Sequence, residues 1–221
     1  MGHIQKNSRQ NTFFQLNKNR WNHNYSHGGV LRNKRKGRGR RPLSTKDPHH
    51  VVYKLDKLRL RHGSLRSPKC LTFATKILKK YALHFFVHIE QVSIQKDHIH
   101  LLIRTKRRSQ FHHFMRVTAG QIAQQFEREG FFTGKKPSLS QKVTDTPNTQ
   151  KTPKKASKEW KKKTSLWLYR PFSRIVKGFK AYKIVRNYIQ LNEQEAKGKI
   201  PYRKERLRGM TTQDWQILWT S

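Results

Sequence analysis

Acidic residues are scarce in this 221-residue chain: twelve Asp and Glu stand against fifty Lys and Arg, a formal net charge of +38. Such an excess opposes compaction by self-repulsion unless a polyanion screens it. Nucleic acid fits that need, because cationic side chains that neutralise phosphates release counterions and gain affinity for any sequence. An anionic membrane surface or ribosomal RNA would answer the charge equally well. Cysteine is nearly absent, and Cys70 alone excludes an intrachain disulfide and any cysteine-built zinc site. No apolar run reaches the roughly eighteen residues of a membrane span, and the N-terminus lacks the apolar stretch of a secretory signal. The expectation is a soluble, intracellular protein with no membrane partner. Hydrophobic residues are few, at 33%, yet sufficient for one core if the polar excess is confined to tails and inserts.

Residues 1–46 hold no acidic residue and twelve Lys or Arg, and the run RNKRKGRGRRP at 32–42 has nothing to bury. Residues 1–47 therefore read as a disordered basic arm. A second polar stretch, 133–163, is rich in Lys, Thr, Ser and Pro and reads as an insert. The catalytic-domain candidate is 48–197, interrupted by that insert, with 198–221 as a tail that is basic and then aromatic at Trp215 and Trp219.

Alternation predicts a strand over HHVVYKLDKLRL (49–60), and helical spacing of Phe73, Ile77, Leu78 and Tyr81 predicts a helix over 71–84. HFFVHIEQVSIQ (84–95) and HIHLLIRT (98–105) read as a hairpin around a tight turn at 95–97. A helix follows over 109–129, with Ser109 as its N-cap. SLWLYRPFSRIVK (165–177) is extended and aromatic, and FKAYKIVRNYIQLNEQEAK (179–197) is a final long helix. The order strand, helix, strand, strand, helix, strand predicts an α+β, ferredoxin-like split βαβ fold. It has a four-stranded antiparallel sheet, two helices on one face and an extra C-terminal helix.

Within Asp97-His98-Ile99-His100, strand alternation turns both histidines to one face and Ile99 to the other. Two imidazoles so placed can share a divalent metal, although twelve histidines in the chain make such pairs unsurprising. Asp97 either shapes the turn or orients a histidine. QKDHIHLLI on the second strand of a hairpin resembles the His-hydrophobe-His motif of the HUH endonuclease superfamily. It is most similar to the insertion-sequence 200-like and REP-associated tyrosine transposases. NYIQLNEQEA (187–196), LWLYRPFSRIV (166–176) and DPHHVVYKL followed by GSLRSP carry the same resemblance. Together these motifs cover roughly 48–131 and 164–197. The chain departs from the family in its long arm, its insert, and Glu193-Gln194-Glu195 where many relatives carry a proline-containing segment.

The resemblance implies a nucleophile at Tyr188 and a third metal ligand at Asn192, four residues later on the same helical face. It also implies Mg²⁺ or Mn²⁺ bound by His98, His100 and Asn192, and attack on single-stranded or hairpin DNA with a 5′-phosphotyrosine intermediate. A bacterial, cytoplasmic and nucleoid-associated setting goes with the family, as does either a monomer or a homodimer that swaps the tyrosine helix. Tyr182 is a rival nucleophile, but it lies about 240° around the helix from Tyr188 and shares no face with Asn192.

Arg38, Arg40 and Arg41 in the arm, and Lys161, Lys162 and Lys163 in the insert, are candidates for phosphate contacts. Arg170 and Arg174, interleaved with Trp167, Tyr169 and Phe172, are candidates for base stacking and backbone contact; a strand with one aromatic core face is the plainer alternative. His84 and His88 read as ordinary strand histidines, His112 and His113 lack a partner at metal spacing, and one of His49 and His50 could approach the site. Two other functions remain open on the sequence. One is a domesticated, non-catalytic DNA- or RNA-hairpin binder. The other is an RNA-associated basic protein, which would give His98 and His100 no task.

Overall fold

The computed structural model describes residues 25–29, 41–61, 63–132 and 165–220. Most of the arm and all of the insert at 133–163 lie outside the described residues. Among the described residues five strands are present: β1 (Ser26–His27), β2 (His49–Lys54), β3 (Val87–Ile94), β4 (His98–Thr105) and β5 (Phe172–Ile175). They are joined by helices α1 (Pro68–His84), α2 (Arg108–Arg128), α3 (Phe179–Ala196) and α4 (Thr212–Trp219). The strands form one antiparallel sheet in the order β1-β5-β2-β4-β3. Without β1 it is the expected four-stranded α+β arrangement.

β1 is the difference, and it comes from the segment read as arm. Gly28 follows it with φ +83, and a Cβ there would sit 2.3 Å from the Pro171 carbonyl oxygen, so only glycine lets the edge close. The Gly29 N–H then donates to the Arg170 carbonyl at 2.9 Å.

β4 is buried on both sides along most of its length. Ile99, Leu101 and Ile103 face the main core, where they meet Val51 and Tyr53 of β2, Ala74 and Leu78 of α1, and Phe111, Phe114 and Ile122 of α2. Three phenylalanines of α2, Phe111, Phe114 and Phe126, are fully buried; truncating any one to Ala would cost about 3–5 kcal/mol. Two polar links, the first fully buried and the second partly so, hold this layer. The Tyr53 hydroxyl and Thr118 Oγ1 are 2.9 Å apart, and the Trp167 indole N–H donates to the Ala119 carbonyl at 2.8 Å. Trp167 is therefore a core residue tilted against Tyr53 rather than a stacking platform for bases.

The opposite face is covered by α3. Leu102 of β4 packs there with Val176 and Ile189, and Tyr182, Val185 and Tyr188 close around them. The extra helix of the sequence reading is thus a third layer, and it lies on the face that His98 and His100 share.

Several boundaries move. β2 stops at Lys54 because a 3₁₀ turn, Lys57–Arg59, takes over where a strand was expected. β5 is limited to four residues of the expected stretch. α1 begins three residues early at Pro68, whose missing N–H is harmless in a first turn. Arg107, not Ser109, stands at the N-cap of α2, and its N–H is met by Gln110 Oε1 at 3.0 Å. The tail forms α4, capped reciprocally by Thr211 and Asp214 and docked through Leu218 onto Leu191 and Ile200. Among the described residues no helix is long and apolar enough to cross a membrane.

Candidate active site

The pleat of β4 places His98, His100 and Leu102 on the α3 side of the sheet, as alternation requires. His98 Nδ1 lies 2.6 Å from Asp97 Oδ1, and Asp97 is also 3.4 Å from the Lys57 ammonium. Burial works to raise the Asp97 carboxyl, but the His98 hydrogen bond and the His98 and Lys57 charges outweigh it and hold the group below its ordinary range. Asp97 therefore orients a histidine as well as shaping the turn.

His100 is buried, and its Nδ1 lies 3.0 Å from Nε2 of His50 on β2. Its Nε2 is buried with no hydrogen-bond partner. Burial, then the neighbouring His50, His98 and Arg206, push His100 far below the usual histidine range. Burial and Arg174 lower His50 to about 4. Both rings are neutral across the physiological range, the form in which imidazole binds a metal.

α3 delivers Tyr188. Its ring meets His100 edge to face, with centroids 5.6 Å apart at 84°. The register of helix against sheet is fixed at the far end: Gln95, in the turn before His98, donates to the Asn192 carbonyl, and Glu193 Oε2 accepts the Ile94 N–H at 3.2 Å. Glu193 is also 3.5 Å from Arg66. Tyr182 goes elsewhere. The Arg104 guanidinium lies over its ring at 5.6 Å, and burial followed by Glu90 raises its hydroxyl.

Asn192 is buried one turn beyond Tyr188. Its Oδ1 accepts a hydrogen bond from Arg206, and its Nδ2 is buried without a partner. Arg206 comes from the tail with φ +58 and reaches both Glu195 oxygens at 2.8 Å. Its guanidinium lies 5.4 Å from the centre of the Tyr188 ring and 5.1 Å from that of Tyr202. Glu193 and Glu195, the departure from the family pattern, thus anchor α3 to β3 and to the tail.

The other expected site residues divide. Arg170 and Arg174 are exposed, and Arg174 stands opposite His50 across β5 and β2. Arg41 is engaged inside the protein: one nitrogen donates to Ser173 Oγ and the other to the Pro171 carbonyl at 2.9 Å. Arg38, Arg40, Lys161, Lys162 and Lys163 lie outside the described residues. Sequence reasoning missed Arg206 and gave His50 no definite place; neither is signalled by local spacing, since each arrives through tertiary contact.

Among the described residues no three His, Cys, Asp or Glu side chains form a metal-holding group. A metal at the histidine pair would need a ligand of another type, and a carboxamide oxygen, with two lone pairs, retains one when Arg206 takes the other. The orphaned Nε2 of His100 beside His98 is the observation that fits a divalent cation.

Residues 58–142 match the family model described as transposase IS200 like. No curated protein matches the chain. Among solved structures, a REP-associated tyrosine transposase bound to a REP hairpin is similar at 13% identity and a TM-score of 0.48. That likeness covers 75% of this chain and 76% of the other. A candidate transposase from Deinococcus radiodurans R1 is similar at 16% identity and a TM-score of 0.37, covering 72% and 98%. At these values neither structure assigns a role to any residue here.

Proposed function

We propose that this protein, whose residues 58–142 match the family model described as transposase IS200 like, cleaves and rejoins single-stranded or hairpin DNA through Tyr188. The observation that carries this reading is the meeting of Tyr188 with His100, whose Nε2 is left uncommitted on the face shared with His98. On this reading the site is that of an HUH enzyme. The Tyr188 oxygen attacks phosphorus in line, the bond from phosphorus to the 3′ oxygen breaks, and a 5′-phosphotyrosine forms. The tyrosine proton passes to solvent, and the departing 3′ oxygen takes one up. Attack by a 3′-hydroxyl on the phosphotyrosine reverses these steps and reseals a strand without an external energy source.

His98, His100 and the carboxamide oxygen of Asn192 would hold Mg²⁺ or Mn²⁺, which when bound polarises a non-bridging phosphate oxygen and offsets developing charge. Asp97 fixes the orientation of His98. The Arg206 guanidinium against the Tyr188 ring restricts that side chain. Exposed Arg170 and Arg174, with the basic segments of the chain, track the DNA backbone.

A second reading, a hairpin binder that cuts nothing, is favoured by one contact: Asn192 Oδ1 already accepts from Arg206. Incubation with pools of labelled single-stranded hairpin DNA, with Mn²⁺ or with EDTA, separates the two. Cleavage predicts a metal-dependent, SDS-resistant adduct that disappears in Tyr188→Phe and persists in Tyr182→Phe. Tight binding with no adduct under any metal, across a broad pool, establishes the binder.

A further inference from the structure

We infer that His50 is a positioning residue that fixes the tautomer of His100, holding His100 Nδ1–H so that its Nε2 lone pair is presented to the site. The inference rests on the reading of His98 and His100 as the imidazole pair of a metal centre.

β2 and β4 pair with Val52 opposite His100 and His50 opposite Leu102, so His50 lies diagonally across the ladder from His100 on the same face. The two rings are nearly parallel, 19° apart, with centroids separated by 5.2 Å and nitrogens by 3.0 Å. A nitrogen separation that short is a hydrogen bond, and the separation of the ring centres places it along the ring edges.

One proton lies between the two nitrogens, and its owner decides what the other side of His100 can do. If His50 Nε2 carried it, His100 Nδ1 would accept, and a buried N–H at His100 Nε2 would have no partner. If His100 Nδ1 carries it, His50 accepts, and His100 Nε2 is a lone pair available to a cation. The first arrangement leaves an uncompensated donor in the interior and blocks the site; the second leaves a ligand. His98 follows the same logic with a different partner, because Asp97 accepts from its Nδ1 and leaves Nε2 as the lone pair. One imidazole is thus oriented by the turn residue beside it, and the other by a histidine from a strand fifty residues earlier in the chain. Outer partners of this kind raise ligand basicity and fix ring orientation, and their loss weakens metal binding by about 10–100-fold.

The test uses the full chain without DNA. Nitrogen-15 imidazole spectra of the wild type should show His100 as the Nδ1–H tautomer. Calorimetric titration with Mn²⁺ should show affinity reduced by about 10–100-fold in His50→Leu. His50→Gln, whose carboxamide oxygen can accept from Nδ1–H, should stay within a few-fold of wild type. An Nε2–H tautomer at His100 in the wild-type protein overturns the proposal without any variant, as does a folded His50→Leu with unchanged tautomer and unchanged affinity. Absence of Mn²⁺ binding by the wild type, or binding undiminished in His98→Ala, overturns the metal reading instead, while the tautomer spectra still decide what His50 does.

Discussion

Replacing His49 by Gln should remove one separable part of the acid sensitivity of this fold, beside the parts carried by buried His50 and His100. His49 is fully buried on the core side of β2, tilted against Phe111 at 4.6 Å. Its Nε2 accepts the Ser44 N–H at 3.1 Å, so Nδ1 carries the ring proton, and that atom has no partner. A second proton on Nε2 would confront the Ser44 donor inside an apolar layer. Burial lowers the His49 pKa from 6.5 to about 4, with Asp47 partly opposing the shift and Arg41 adding to it. For a base whose folded pKa is depressed, the unfolded chain binds more protons as the pH falls. The stability is fully present above pH 6.5 and is lost as the pH drops towards about 4. Between about pH 8 and pH 5 this one ring should therefore remove about 2 kcal/mol. Urea unfolding at both pH values, for wild type and His49→Gln, isolates that amount, because the other titrating groups cancel in the difference. The wild-type midpoint should fall by on the order of 1 M urea more than the variant's. Equal losses in the two proteins would refute the argument.

Gly28→Ala should detach β1, since the added methyl meets the Pro171 carbonyl. Hydrogen exchange at the Gly29 N–H, bonded to Arg170, should rise while β2 to β4 stay protected. Thr211→Ala removes the side-chain acceptor of the Asp214 N–H and should weaken the α4 dock by about 1 kcal/mol, seen as faster exchange confined to 212–219.

How much was legible in the sequence depends on how far apart the cooperating residues are. Local periodicity carries β4 and α3 almost to their ends, and with them the shared face of His98 and His100 and the one-turn offset of Tyr188 and Asn192. Those relations are fixed by backbone geometry within one element. The contact of His50 with His100 depends on strand register, which is set by a whole ladder of pairings and has no local signature. Arg206 was hidden for a related reason: its position depends on the tail folding back through Leu218 onto α3. The Thr211-x-x-Asp214 capping pattern is a local signal for α4, masked by the basic and aromatic residues around it. Trp167 was ambiguous because an aromatic strand can face bases or a core, and only the donor bond to Ala119 decides it.

The Tyr188 helix folds back onto the sheet of its own chain, clamped there by Gln95 and Glu193. On the proposed function, a nucleophile and ligands carried by one polypeptide would make each molecule a complete unit of activity. Yield per molecule should then be indifferent to dilution, and an equal mixture of Tyr188→Phe and His98→Ala chains should stay as inert as either alone. A covalently held DNA end would likewise remain tethered to the molecule that cut it, so joining ends from two separate cuts would require two such molecules to meet on the DNA.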